Sequence, residues 1–308
     1  LIADMPVETR VYLPLAIIAC VLAGAGAQAP GLPVQIGVLA FGIIVFGLPH
    51  GALDPLVALR AGLMRSRSRV VMFHLAYGAA AGGVLLAWNG APAAALAGFL
   101  VASAYHFAGD WFRRGVAARL LLGSAILSLP AAAHTVEVAT LYAVLSGDAA
   151  PTIAEIQARL APAWLIIVLT AILALARGGR GAAALELCAI AATAWLLPPL
   201  VFFGLYFCSL HSPRHFLTLW RSFDARRASA LCAAAYTGLA AMAAAIAWAM
   251  AATTTPDMSQ VSAASVQIVF MGLAALTAPH MIVTTLADRN TPLKTAHATL
   301  IVNTKQAH

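Results

Sequence analysis

From residue 11 to residue 287 the chain is an almost unbroken series of apolar runs, each about the length of a membrane crossing. The runs cover 11–29, 32–50, 70–88, 91–109, 116–140, 161–177, 182–219, 228–252 and 262–287. A hydrocarbon core about 30 Å thick takes about 20 residues of helix per crossing. Within it every backbone N–H and C=O must be paired inside the protein, which leaves helices or closed barrels. A barrel would show strands of about 10 residues alternating apolar with polar, and these runs do not alternate. The expected fold is therefore all-α: a polytopic transmembrane helix bundle, forming one membrane-embedded helical domain over residues 1–308. Charged residues make up only 9% of the chain, against roughly 25% in soluble domains. The first run is followed at once by a second, and it reads as a first span rather than a removed signal.

The run 182–219 is too long for one crossing and contains Pro198-Pro199. Adjacent prolines remove donors and clash with the preceding turn, so the run divides into 182–197 and 199–219. That makes about ten spans, with eight or nine possible if the break is only a kink. Loop charge tests the choice. With ten spans and both termini in the cytoplasm, the inner loops hold Arg60, Arg65, Arg67, Arg69, Arg113, Arg114 and Arg119. Arg177, Arg180, Arg214, Arg221, Arg226 and Arg227 fall on the same side, as do Arg10, Arg289, Lys294 and Lys305 at the ends. Of the 18 basic residues only Arg159 falls outside, a pattern that follows the positive-inside rule. The outer connections are nearly uncharged apart from 148–160, beginning at Asp148, which reads as a short surface helix.

The same loops account for the net charge of +7 without nucleic acid. No glycine-rich phosphate loop, dinucleotide fingerprint or zincin motif is present, nor is a nucleophile elbow. Cys20, Cys188, Cys208 and Cys232 lie in apolar stretches without paired spacing and read as small hydrophobes.

The histidines carry the chemistry. Nine are present; His297 and His308 fall in a polar tail, and seven lie in or beside the spans, where ionisable groups are costly and face the bundle interior. The charge-based topology puts His50, His74, His106, His211, His215 and His280 near one membrane depth, with only His134 toward the other face, one turn from Glu137. His211 and His215 are an i,i+4 pair and point to one helix face. With His50 and His106 they form a candidate metal site. Imidazole suits iron, zinc, copper or nickel, and an all-histidine set suits a ferrous ion better than a structural zinc. The alternative is that each ring bonds a backbone carbonyl and nothing is held. Asp54 lies four residues after His50, and Asp110 four after His106. Either carboxylate could fix a ring tautomer, or could instead cap a helix or pair with Arg113 and Arg114. Glu186 opens its span near the inner surface and reads as facing water. Phe202, Phe203, Tyr206 and Phe207 could line an apolar slot, or could be ordinary packing.

Taken together, Gly47-Leu48-Pro49-His50-Gly51-Ala52-Leu53-Asp54, Tyr105-His106-Phe107 with Asp110-Trp111, Tyr206 through His215, and Ala278-Pro279-His280-Met281 resemble the Brp/Blh family. These are bacteriorhodopsin-related membrane proteins that act as β-carotene 15,15′-dioxygenases. The resemblance implies a multi-pass protein of the cytoplasmic membrane that cleaves the central double bond of β-carotene with dioxygen, giving two molecules of retinal. It implies Fe(2+) held by His50, His106, His211 and His215. Asp54, Asp110 and His280 would stand behind the ligands, and Tyr105, Phe202, Phe203, Tyr206 and Phe207 would line the substrate. A lipid-soluble substrate would enter laterally from membrane lipid, and retinal would leave into the bilayer or reach a retinal-binding rhodopsin. Rival readings are a metal-ion or proton transporter, a non-catalytic assembly factor for a retinal protein, and another metal-dependent lipid oxidase.

Overall fold

The computed structural model describes residues 5–112, 115–147, 150–254 and 257–290. Arg113, Arg114, Asp148, Lys294, His297, Lys305 and His308 lie outside them. The regular elements among the described residues are all helices, without strands. The chain opens with α1 (Val7–Gly24) and α2 (Leu32–Gly42), then passes through a π turn (Ile43–Gly47) into α3 (Leu48–Gly51) and α4 (Asp54–Arg60). α5 (Arg67–Gly90) and α6 (Pro92–Phe107) follow, with a 3-10 turn at Ala108–Asp110. Next come α7 (Val116–Ala133), α8 (Thr135–Ser146), α9 (Pro151–Arg159), α10 (Ala161–Arg177) and α11 (Gly181–Leu196). α12 (Pro199–Tyr206) runs through a second π turn (Phe207–His211) into α13 (Ser212–Ser222), and the long α14 (Arg226–Thr254) and α15 (Met258–Asn290) come last.

The molecule is a multi-pass membrane helix bundle. Among the described residues seven helices are long and apolar enough to cross a membrane, and an eighth is gained if α9 and α10, bent by 61°, form one crossing. Two segments read from the sequence as spans fall short of that measure. α11 has 16 residues, and the stretch 199–219 is not among the seven helices or the bent pair. The break between them lies where the prolines place it. Leu197 is extended (φ −106°, ψ 148°) and Pro198 follows at φ −52°, ψ 145°, as expected for a residue preceding proline.

The run 116–140 is not one helix. At His134 the backbone leaves the helical region (φ −129°, ψ 45°), and its ring N–H reaches the Trp195 carbonyl at 3.2 Å. The segment 148–160 contains the short helix α9.

α7 lies at the centre of the packing, with Leu122, Ala125, Ile126 and Leu129 almost wholly buried. Its closest approach is to α6: a Cβ at Gly123 would overlap the Ala104 carbonyl. Small residues that let backbones meet are the usual means of helix association in lipid, where apolar burial gives no drive. α14 is different. It packs on α3, α4 and α15, and Ser229 and Ala233 are its buried residues.

A histidine cluster at the floor of an apolar cavity

Two π turns deliver the central histidines. Each ends two residues before a proline, Pro49 or Pro213. A helical proline clashes with the carbonyl four residues back and leaves it without a donor. The wider turn relieves this: the Leu48 N–H reaches the Ile43 carbonyl and the Ser212 N–H reaches the Phe207 carbonyl, five residues back in each case. Such π turns are frequent at functional sites. The two press together at Gly47, where an added Cβ would stand 2.9 Å from the Phe207 ring. His50 leaves the first turn; His211 ends the second and His215 follows it.

Five imidazoles meet here. Ring centroids lie 5.1 Å apart for His50–His280, 6.0 Å for His50–His211, 4.9 Å for His106–His211 and 5.3 Å for His106–His280. His215 stands 4.7 Å from His211 and 5.2 Å from His106. His50, His106 and His211 each offer a nitrogen within 4.8 Å of the others. The shared depth argued from loop charge agrees with this convergence. His74 and His134 stand outside it. The His74 ring N–H donates to the Val70 carbonyl at 2.8 Å, so its other nitrogen accepts from the Tyr236 hydroxyl at 2.6 Å. His134 faces Glu137 at 3.6 Å.

The carboxylates support different histidines from those their spacing suggested. Asp110 accepts from His211 Nδ1 at 3.0 Å and from His215 Nε2 at 3.1 Å, rather than from His106. Asp54 accepts from His280 Nδ1 at 2.8 Å and from the Tyr77 hydroxyl at 2.9 Å, rather than from His50. The physical cause is local. A 3-10 turn separates His106 from Asp110, and the helix breaks at Ala52-Leu53 between His50 and Asp54. The i,i+4 geometry therefore lapses, and both side chains reach across to other helices. His50 Nδ1 instead donates to the Gly47 carbonyl at 2.5 Å, with the Ser212 hydroxyl 3.0 Å away.

Glu186 does not face water. It is buried, accepting from Thr9 and Arg214 at 2.5 Å each and from the Trp111 indole at 2.9 Å. Arg214 also reaches Glu8 at 3.3 Å. Glu186, Tyr77 and Ser212 are the supporting residues the sequence reading missed. Ser212 had a signal, being inside the His-Ser-Pro-Arg-His string; Tyr77 and Glu186 had none, because their partners are remote in sequence.

Above the cluster lies a cavity of about 580 Å³, with His50, His106 and His280 in its wall. Phe203 and Phe207 line it; Phe202, Tyr206 and Tyr105 do not. Helical period explains the split: 203 and 207 share one face, while Phe202 and Tyr206 stack on each other 6.3 Å apart on the next. Tyr105 lies under the Arg119 guanidinium at 3.7 Å. α5 and α14 both wall the cavity, through His74 and Leu239 among others, and Leu239 is 57% exposed. A second apolar cavity of about 520 Å³ shares Leu48, Ala240, Leu273 and Leu276 with the first, so the two meet beneath α14.

A family model described as "Beta-carotene 15,15'-dioxygenase" matches residues 41–288, a stretch that contains all five clustered histidines. The chain belongs to this family. A curated relative named "Beta-carotene 15,15'-dioxygenase", from an uncultured marine bacterium (66A03), is 30% identical over 256 residues, 79% of this chain and 90% of that protein. No solved structure matches. The chain is thus a membrane oxidoreductase of the dioxygenase type, and its cluster is a candidate non-haem metal site. The donor set fits a divalent cation. Nε2 of both His211 and His280 is buried with no hydrogen-bond partner, while Nδ1–H of each is held by a carboxylate. That tautomer leaves a lone pair on the inward nitrogen, the arrangement of a metal-binding histidine.

Proposed function

We propose that the protein cleaves β-carotene at its central 15,15′ double bond with dioxygen, giving two molecules of all-trans-retinal, at a ferrous ion held by His50, His106, His211 and His215. The observation that carries the reading is the meeting of the imidazoles, with those of His50 and His106 in the wall of an apolar cavity that is also lined by the exposed Leu239. Ferrous iron, when bound, would supply the electrons that dioxygen needs to react with a closed-shell alkene. The chain's own residues do the remainder. Asp110 holds the rings of His211 and His215, and Gly47 and Ser212 hold that of His50. Phe203 and Phe207 present flat apolar faces to a polyene. The two cavities meeting beneath α14 give a long hydrocarbon an arm on either side of Leu48 and Leu276, which favours an elongated substrate. Entry between α5 and α14 takes a lipid-soluble substrate directly from the membrane, and the absence of water from such a route protects the reacting centre. Retinal would return by the same route, to lipid or to a retinal-binding rhodopsin.

The test is direct. The protein, purified in detergent under reducing conditions and loaded with ferrous iron, is supplied with β-carotene and air. Retinal is expected at two per carotene consumed. Absence of both bound iron and retinal refutes the reading, and cleavage at another bond refutes the assignment of the central one.

A further inference from the structure

We infer that His280 is itself a metal ligand, with Asp54 and Tyr77 holding its ring; this rests on the metal-centre reading above and adds to its ligand set. His280 is 3% exposed. Its Nδ1–H donates to Asp54 at 2.8 Å, and the second oxygen of that buried carboxylate accepts from Tyr77 at 2.9 Å. Three helices, α4, α5 and α15, therefore agree on one tautomer and one ring orientation. Nε2 is left buried and without a partner. A residue that merely supported another ligand would use this nitrogen to reach it, and it reaches none. Buried polar atoms left unpaired are rare and costly, so the lone pair implies an acceptor role toward something positive. Among the described residues His211 alone shares this signature: carboxylate at Nδ1, buried unpaired Nε2.

The geometry agrees. His280, His50, His211 and His106 close a quadrilateral with edges of 5.1, 6.0, 4.9 and 5.3 Å between ring centroids. By ring centroid His280 is nearer to His50 and to His106 than His50 is to His211, although the mutual 4.8 Å approach of ligand nitrogens is made by His50, His106 and His211 without it. His215 flanks this figure beside His211, its Nε2 engaged by Asp110 at 3.1 Å.

The experiment compares wild type, His280→Ala, His280→Gln and Asp54→Asn in detergent, measuring ferrous affinity by chelator competition and the number of imidazoles by X-ray absorption. Removing His280 is expected to lower the imidazole count by one and to weaken iron binding by at least the roughly 10- to 100-fold typical of lost metal support. Asp54→Asn is expected to weaken binding within that range. Free imidazole should restore the count in His280→Ala. His280→Gln keeps a donor for Asp54 and serves where the alanine variant does not fold. An unchanged imidazole count and unchanged affinity in a folded His280 variant overturns the inference while leaving the metal centre intact. A wild type that binds no iron sinks the underlying reading instead.

Discussion

Asp110 is the carboxylate on which two helices depend. Its two oxygens accept from His211 at 3.0 Å and His215 at 3.1 Å, and the side chain is almost wholly buried. Asp110→Asn keeps the shape and changes the chemistry in two ways. The negative charge opposite the imidazoles is lost, and one oxygen becomes an NH2 group facing a ring N–H, donor against donor. One ring must then turn or change tautomer. If His211 does so, the proton moves to Nε2 and removes the inward lone pair. If His215 does so, its proton moves to Nδ1 with the same effect. Loss of a carboxylate behind a ligand histidine costs about 10- to 100-fold in metal affinity. Because this one serves two rings, we expect the upper end, about 2.8 kcal/mol at 1.4 kcal/mol per decade. The assay is anaerobic competition for ferrous iron between the detergent-purified protein and a chelator of known affinity, with exposed Glu155→Gln as the control. A variant that binds iron within about twofold of wild type would refute the reasoning, since it would mean that neither ring takes its tautomer from Asp110.

Two further outcomes follow from the packing. Gly123→Leu should destabilise the α6–α7 contact by at least the roughly 1–3 kcal/mol of an overpacked core, because even a Cβ there overlaps the Ala104 carbonyl; thermal unfolding in detergent measures it, and a Tm unchanged from wild type would contradict the close approach. Arg214→Leu should leave the Glu186 charge buried beside Trp111 and Thr9 without its cation, at about 3–5 kcal/mol; the double variant Arg214→Leu with Glu186→Gln should recover part of that loss in the same melting assay, and strict additivity would count against the pair.

The bundle was legible because the lipid requirement acts on composition: runs such as 70–88 and 228–252 admit no other reading, and both are helices. The convergence of the histidines was also legible, though only indirectly, through arginines that sort the loops to one side. What could not be read was where helical regularity lapses. The pairings of His50 with Asp54 and of His106 with Asp110 assumed an unbroken turn between the partners. A break at Ala52-Leu53 and a 3-10 turn at Ala108–Asp110 send both carboxylates elsewhere. The π turns were hidden for the same reason; Pro49 and Pro213 announce an interruption and do not specify its form. Of the four aromatic residues before His211, period alone separates 203 and 207 from 202 and 206, but which face meets the cavity depends on α5, α14 and α15. Glu186 was misplaced because burial of its charge depends on Arg214 and Thr9, which are remote in sequence.

One carboxylate governs how another meets its histidines. Trp111, the neighbour of Asp110, donates its indole N–H to Glu186 at 2.9 Å, and its carbonyl accepts from Arg180 at 2.7 Å. Arg214, one residue before His215 and three after His211, donates to the other oxygen of Glu186 at 2.5 Å. Glu186 on α11 therefore holds both sides of the Asp110–histidine contact: the turn that carries Asp110 and the helix that carries the imidazoles. α1 is tied in through Thr9 and Glu8. Each charge in this chain of contacts is answered by an opposite charge or a donor, as burial within lipid requires, and the inward nitrogens of His211 and His280 remain unanswered. The position of α13 is thus set by an ion pair on its far face, so a change at Arg214 or Glu186, neither of which touches the cluster's inward nitrogens, must displace the His211 and His215 rings relative to Asp110.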